Sequence, residues 1–252
     1  MKKLLSIVVA STAVALPAAA AGAATAETVV PASSFNNLSR YWGNAYPWGS
    51  DHYGAAHMLV GQEGTRNGTL TLTALRRAGL GPNTSEWPGI PMTYVSGAVY
   101  SKAPVTVTDA YPVWDVSGDF KAPTAVGSWP AFWLLAQDVW PPEIDILEQM
   151  GSATEQVSVW QAPDRADQAW KWLPDSATTW HHYAAHLVKV GNDVRVAFTI
   201  DGKDLATFTG AGYAGHPFWA IIDLQMEAVS GTPGPSSAVM QARNVLITRQ
   251  RA

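Results

Sequence analysis

Three stretches of this chain alternate with a period of two, a fourth is apolar on both faces, and no stretch keeps a helical period over three turns. In residues 68–74, Leu70, Leu72 and Ala74 share one face. In residues 111–121, Trp114, Val116, Gly118 and Phe120 oppose Asp115, Ser117, Asp119 and Lys121. In residues 128–135, Trp129, Ala131 and Trp133 oppose Phe132 and Leu134. In residues 218–227, Phe218, Ala220, Ile222, Leu224 and Met226 oppose Trp219, Ile221, Asp223, Gln225 and Glu227. Side chains on a strand alternate between its faces, so each stretch predicts a strand, half-buried in residues 68–74. Shorter candidates are residues 95–102, 157–160, 183–190, 194–200, 205–209 and 239–249, with hairpin turns at Gly191-Asn192 and Asp201-Gly202. Residues 79–89 and 162–179 read as loops, the second carrying Asp164, Asp167, Trp170 and Trp172. Many short strands punctuated by Gly and Pro mean an all-β sandwich or barrel.

The first residues make a different statement. Met1-Lys2-Lys3 precedes an apolar run from Leu4 to Ala23, and Ala24-Thr25-Ala26 follows. A basic start, an apolar middle and a small-residue end describe a secretory signal peptide over residues 1–26. An N-terminal membrane anchor is the competing reading, and the chain has no cysteine to carry a lipid. Losing Lys2 and Lys3 takes the net charge from −4 to −6. Residues 27–252 then suit a single domain with a sizeable core and no further membrane segment. The acidic balance argues against a nucleic-acid partner, and the absence of cysteine removes disulfides and thiolate metal sites. Asn37, Asn67 and Asn83 stand in N-x-S/T sequons, which take glycans only in a eukaryotic secretory route. The chain contains twelve tryptophans. Each is read either as core packing or as a face for sugar stacking.

Residues 141–150 hold the chemistry. Glu143, Asp145 and Glu148 fall within six residues, interleaved with Ile144, Ile146 and Leu147. Carboxylates among apolar side chains are costly to desolvate unless paired or hydrogen-bonded. On a regular strand Glu143 and Asp145 share a face and Glu148 points away. One extra residue in a β-bulge returns Glu148 to the same face. A helix opening at Pro141-Pro142 is the local rival, and β-branched Ile144 and Ile146 weigh against it. Three acids on one face repel one another and titrate as a set, one pKa pushed up and another held down. That separation lets one carboxylate act as nucleophile and one carboxylic acid as proton donor. With the bulge, the glutamates should stand about 5–6 Å apart, a retaining glycosidase spacing. A Ca²⁺ site and a purely structural acidic patch are the other readings.

The stretch Glu143-Ile144-Asp145-Ile146-Leu147-Glu148 resembles the bulged E-x-D-x-x-E signature of glycoside hydrolase family 16. Gly127-Ser128-Trp129-Pro130-Ala131-Phe132-Trp133-Leu134-Leu135, just before it, resembles that family's G-x-W-P-A-F-W-L-L segment. Weaker echoes run from Gly68 to Thr248. The resemblance implies a β-jelly-roll sandwich of two curved antiparallel sheets with a concave cleft. It implies retaining endo-hydrolysis, or transglycosylation, of β-glucans or galactans. By position, Glu143 is the nucleophile, Glu148 the acid and then the base, and Asp145 the residue that hydrogen-bonds and holds the nucleophile. Trp129 and Trp133 fall where the family stacks sugars, and Trp140 is a third candidate platform.

Several positions depart from the family pattern. Trp160 stands in place of a site histidine, Asp223 in place of an asparagine, and Ser117 and Asp119 in place of an acidic and basic pair at the substrate. Arg243 replaces the Asp that helps hold a structural calcium, so no cofactor is expected. His181, His182 and His186 lack a third ligand at metal spacing and read as strand and turn residues. The expectation is a secreted, monomeric endo-β-glycanase acting on a polysaccharide. A non-catalytic lectin-like module on the same fold is the alternative from another class.

Overall fold

The computed structural model describes residues 25–82, 90–227 and 234–252. The expected leader (apart from its last two residues), Asn83 and most of the 79–89 loop lie outside them. Two sheets face each other. The larger runs, edge to edge, β15 (Lys203–Gly210), β14 (Asp193–Ile200), β13 (His181–Val190), β8 (Val113–Lys121), β17 (Ser237–Gln250), β5 (Thr69–Arg76), β6 (Tyr94–Ser96) and β3 (Ala56–Met58). On it, β1 (Ala26–Val30) pairs with β17, and β4 (Glu63–Arg66) pairs with β5. The smaller sheet runs β12 (Arg165–Trp172), β11 (Thr154–Ala162), β10 (Glu143–Gln149), β9 (Ser128–Ala136), β16 (Phe218–Met226), β7 (Ala98–Ser101) and β2 (Trp42–Asn44). Among the described residues, helix is confined to a 3-10 turn (Ser34–Asn37) that leads into one α turn, α1 (Leu38–Tyr41).

The alternating stretches become strands because one face of each has a core to meet. On β8, Trp114, Val116 and Phe120 are buried. On β9, Phe132 and Leu134 turn into the same interior, as do Ile222 and Leu224 of β16. Phe120 and Phe132 meet across the sandwich at 4.9 Å, with Tyr183 of β13 edge-on to Phe120. The Asp201-Gly202 hairpin has φ of 54° and 70°, and a second one at Asn67-Gly68 has 50° and 73°. Two successive positive φ values define the hairpin turn whose twist suits its strands, and Asn-Gly and Asp-Gly tolerate it best.

One expectation is corrected. Residues 165–172 form edge strand β12, paired with β11 from Thr154↔Trp172 to Ala162↔Arg165, and not a loop. Ala166, Trp170 and Trp172 share one face against Arg165, Asp167 and Lys171, but that apolar face lies open at the sheet edge, and the pairing with β11 orders it. The stretch before β5 also holds four short strands that its Gly- and Asn-rich composition concealed.

Phe132 is fully buried between the sheets. Phe132→Ala should destabilise the fold by about 3–5 kcal/mol, measured by denaturant melts against wild type.

Candidate active site

The register of β10 slips by one residue against both neighbours. Asp145 lies opposite Ser158 of β11 and Trp133 of β9, and Glu148 opposite Gln156 and Ala131. Three residues on β10 thus span two on either side, which is a β-bulge. Ile146 and Leu147 both turn into the core, at 1% and 0% exposure. Glu143, Asp145 and Glu148 consequently line one cleft on the outer face of the smaller sheet, with Trp129, Ala131, Trp133, Asp223, Gln225, His52 and Tyr53.

Tryptophan N–H groups supply much of the polar contact in this cleft. Trp129 Nε1 donates to Glu148 Oε1 at 2.9 Å and Trp140 Nε1 to Glu143 Oε2 at 2.7 Å. Trp160 Nε1 donates to Asp145 Oδ2 at 3.1 Å, and the Ser158 hydroxyl reaches the same oxygen. Trp133 Nε1 donates to Asp223 Oδ1 at 2.8 Å, and the Tyr46 hydroxyl to its Oδ2 at 2.9 Å. Gln156 Nε2 completes Glu148 with a bond to Oε2 at 3.0 Å. Trp140 and Trp160 lie 5.9 Å apart, tilted, over the Glu143 end of the cleft. The Tyr213 hydroxyl donates to the carbonyl oxygens of Glu143, at 3.1 Å, and Trp160, and so ties β10 to β11. Asp145 bears on Glu143 through charge, its repulsion adding to the burial that raises the Glu143 pKa.

Burial dominates the electrostatics. It raises Glu143 well above the usual carboxylate range, with Asp145 repulsion adding to it. Burial raises Asp145 to about 6 and Glu148 to about 8, the latter again with Asp145 repulsion. Asp223 is pushed to about 7 by burial, against the Trp133 and Tyr46 bonds that favour its charged form. His52 is held neutral, its pKa lowered to about 4 by burial.

Sequence reasoning missed three parts of this site. The segment between β2 and β3 folds over one flank of the cleft. There Tyr46 stacks on Trp48 at 4.9 Å, and His52 stacks on Trp133 at 5.5 Å. Its residues lie 90 or more positions before the acids, and only an aromatic-rich run, Tyr46 to Tyr53, could have flagged it. Glu155 was missed as well: it is fully buried, and one carboxyl oxygen accepts the Glu148 backbone N–H at 2.8 Å. Gln156 was the third. In the other direction, Ser117 and Asp119 leave the site. They lie on β8 of the larger sheet, on its outer side, where Asp119 takes bonds from His182, Asn244 and Arg243. The Arg243 guanidinium lies 4.2 Å over the Trp180 ring, so this position offers a cation and not an oxygen donor to calcium.

A carboxyl whose pKa is raised by folding is disfavoured as an anion in the native state. It costs nothing when protonated in both states, below about pH 4, and destabilises the fold as pH rises through the native value. For Glu148 that window runs from the ordinary 4.5 to about 8. Glu148→Gln should therefore melt higher than wild type at pH 8, with the difference shrinking toward pH 4. Thermal melts across that range read the trend.

The family model for glycosyl hydrolases family 16 matches residues 58–243. A galactan endo-beta-1,3-galactanase of Flammulina velutipes is 42% identical over 230 residues, covering 89% of this chain and 91% of the relative. The endo-1,3-beta-glucanase of Streptomyces sioyaensis superposes with a TM-score of 0.67 at 18% identity, covering 94% of this chain and 100% of that one. The catalytic domain of an endo-1,3-beta-glucanase (laminarinase) from Thermotoga petrophila gives 0.68 at 16%, covering 91% and 100%. At such identities these structures speak for the jelly-roll fold, while the family model and the galactanase speak for the lineage. This chain belongs to glycosyl hydrolases family 16 and is a glycoside hydrolase.

Proposed function

We propose that this protein is a secreted, retaining endo-β-1,3-galactanase. The observation that carries the mechanism is the β10 bulge, which brings Glu143, Asp145 and Glu148 to one cleft. Glu143 attacks the anomeric carbon of the sugar in the cleft, and the bond to the leaving oxygen breaks as Glu148 hands that oxygen its proton. The glycosyl–Glu143 ester is then cleaved by water, whose proton returns to Glu148. Glu148 suits the first step because burial lets it keep a proton near neutrality. Glu143 must be ionised to attack: burial and Asp145 repulsion oppose its anion, and the Trp140 N–H favours it. Like charges at Asp145 and Glu148 make the set lose its protons in steps, and the working form has Glu143 charged and Glu148 neutral.

The substrate reading follows from the relative named as a galactan endo-beta-1,3-galactanase, at 42% identity over nearly the whole chain. The glucanase structures, at 16–18% identity, do not weigh against it. Export follows from the basic start, apolar run and small-residue end of residues 1–26.

Purified protein lacking residues 1–26 should release reducing ends from β-1,3-galactan faster than from laminarin, mixed-linkage glucan, agarose or carrageenan. Preference for another of these polymers would overturn the substrate, and binding without new reducing ends would favour a lectin. Early NMR of the product should show the β-anomer at the new reducing end, and an α-anomer would overturn retention. Glu143→Gln should abolish turnover while leaving the thermal melt cooperative. Glu148→Ala should lose about 10²–10⁴-fold on galactan and far less on an activated aryl galactoside. Equal losses on the two substrates would contradict its role as acid.

A further inference from the structure

Edge strand β12 carries two indoles that the rest of the sandwich leaves open: Trp170 is 58% exposed and Trp172 65%. Strand register fixes where they point. Trp170 lies opposite Gln156, and Gln156 opposite Glu148. Directly opposed residues on antiparallel strands share a face, so Trp170 stands on the cleft face two strands out from Glu148. Trp172, opposite Thr154, takes the same face one side-chain repeat along the strand, about 7 Å away. The opposite flank of the cleft is roofed by Tyr46, Trp48 and His52, while the β12 flank is open.

Trp170 is also held in place. Its Nε1 donates to Gln156 Oε1 at 3.1 Å, and Gln156 Nε2 donates to Glu148 Oε2 at 3.0 Å. The ring is thus oriented before any ligand arrives, which lowers the entropy lost on binding. The side chains beside it on this face, Gln156, Gln168 and Thr154, are uncharged hydrogen-bonding groups. Flat indoles with neutral amides and a hydroxyl suit a neutral sugar chain, whose C–H faces stack while its hydroxyls bond. They do not suit an anion. Two large exposed aromatics on an unpaired edge are otherwise a liability in water.

We infer that Trp170 and Trp172 form a sugar-stacking platform that binds a stretch of the same neutral galactan remote from the bond cleaved. The inference rests on the galactanase reading for its ligand. The test compares kcat/KM of wild type, Trp172→Ala, Trp170→Ala and Trp170→Phe on β-1,3-galactan and on β-1,3-galacto-oligosaccharides of increasing length. For Trp172→Ala the ratio of kcat/KM on polymer to that on the shortest cleaved oligosaccharide should fall about five- to ten-fold, mostly through KM. Trp170→Phe keeps a stacking face and should restore much of the polymer KM lost in Trp170→Ala. An unchanged length ratio in Trp172→Ala, or Phe no better than Ala at position 170, overturns the platform. Affinity electrophoresis through gels containing β-1,3-galactan separates this from the galactanase reading. Retention that needs Trp172, without turnover by wild type, keeps the platform and sinks the hydrolase. Turnover with an unchanged ratio does the reverse, and absence of both overturns both.

Discussion

Between Asp145 and Glu148, β10 advances three residues while each neighbouring strand advances two. Without that extra residue Glu148 would share the core face with Ile144 and Ile146, and its charge would sit among aliphatic side chains. With it, Ile146 and Leu147 both fill the core and all three acids reach the cleft. The bulge also lifts the Glu148 N–H from the regular ladder, and the buried Glu155 carboxyl accepts it. A buried donor left without a partner would cost about 1–3 kcal/mol, so Glu155 belongs to the bulge as much as the extra residue does. Removing either would release the geometry that the mechanism needs.

Clustering carboxyls in an apolar cleft opposes folding, and the tryptophans are what moderate it. Each of Glu143, Asp145, Glu148 and Asp223 takes a bond from a different indole. An indole N–H donates without adding charge, so it steadies an anion while leaving the pKa high enough for the group to hold a proton. An arginine or lysine would give a stronger bond and pull the pKa down, which would suit an ion pair and spoil a proton donor. The same rings present flat faces to the cleft. The choice between core packing and sugar stacking therefore does not divide these residues well: Trp133 is buried, hydrogen-bonded to Asp223, stacked by His52 and still part of the cleft wall.

The two flanks of the cleft are built differently. On one side the segment from Tyr46 to Tyr53 wedges aromatic rings against β9 and β16, with the Tyr46 hydroxyl on Asp223. On the other side the sheet simply ends at β12, and its last two indoles face solvent. An endo-acting enzyme takes hold of a chain in its middle, so its cleft has to leave room for polymer beyond the reacting sugar. The open β12 edge provides that room.

Alternation in residues 68–74 and 111–121 was enough to predict half-buried strands, because burial of one face leaves a period of two wherever the other face meets water, whereas β9 and β16 are buried on both faces. The odd spacing of Glu143 and Glu148 predicted the bulge, because only an inserted residue lets acids five apart share a face. What escaped the sequence was whatever depends on pairing between distant segments. β12 is a charged strand whose two tryptophans stay in water, so only its pairing with β11 declares it, and Ser117 and Asp119 sit on an alternating strand whose outer face turned out to belong to the other sheet. Tyr46 and His52 meet the cleft only when the β2–β3 segment closes around β9. The sequence by itself determined the strands, the bulge and the acids, since these follow from local periodicity and desolvation. Tertiary structure alone decided which face became the cleft, which side chains roof it and which protons it holds, because burial and cross-strand register are properties of the assembled sheets.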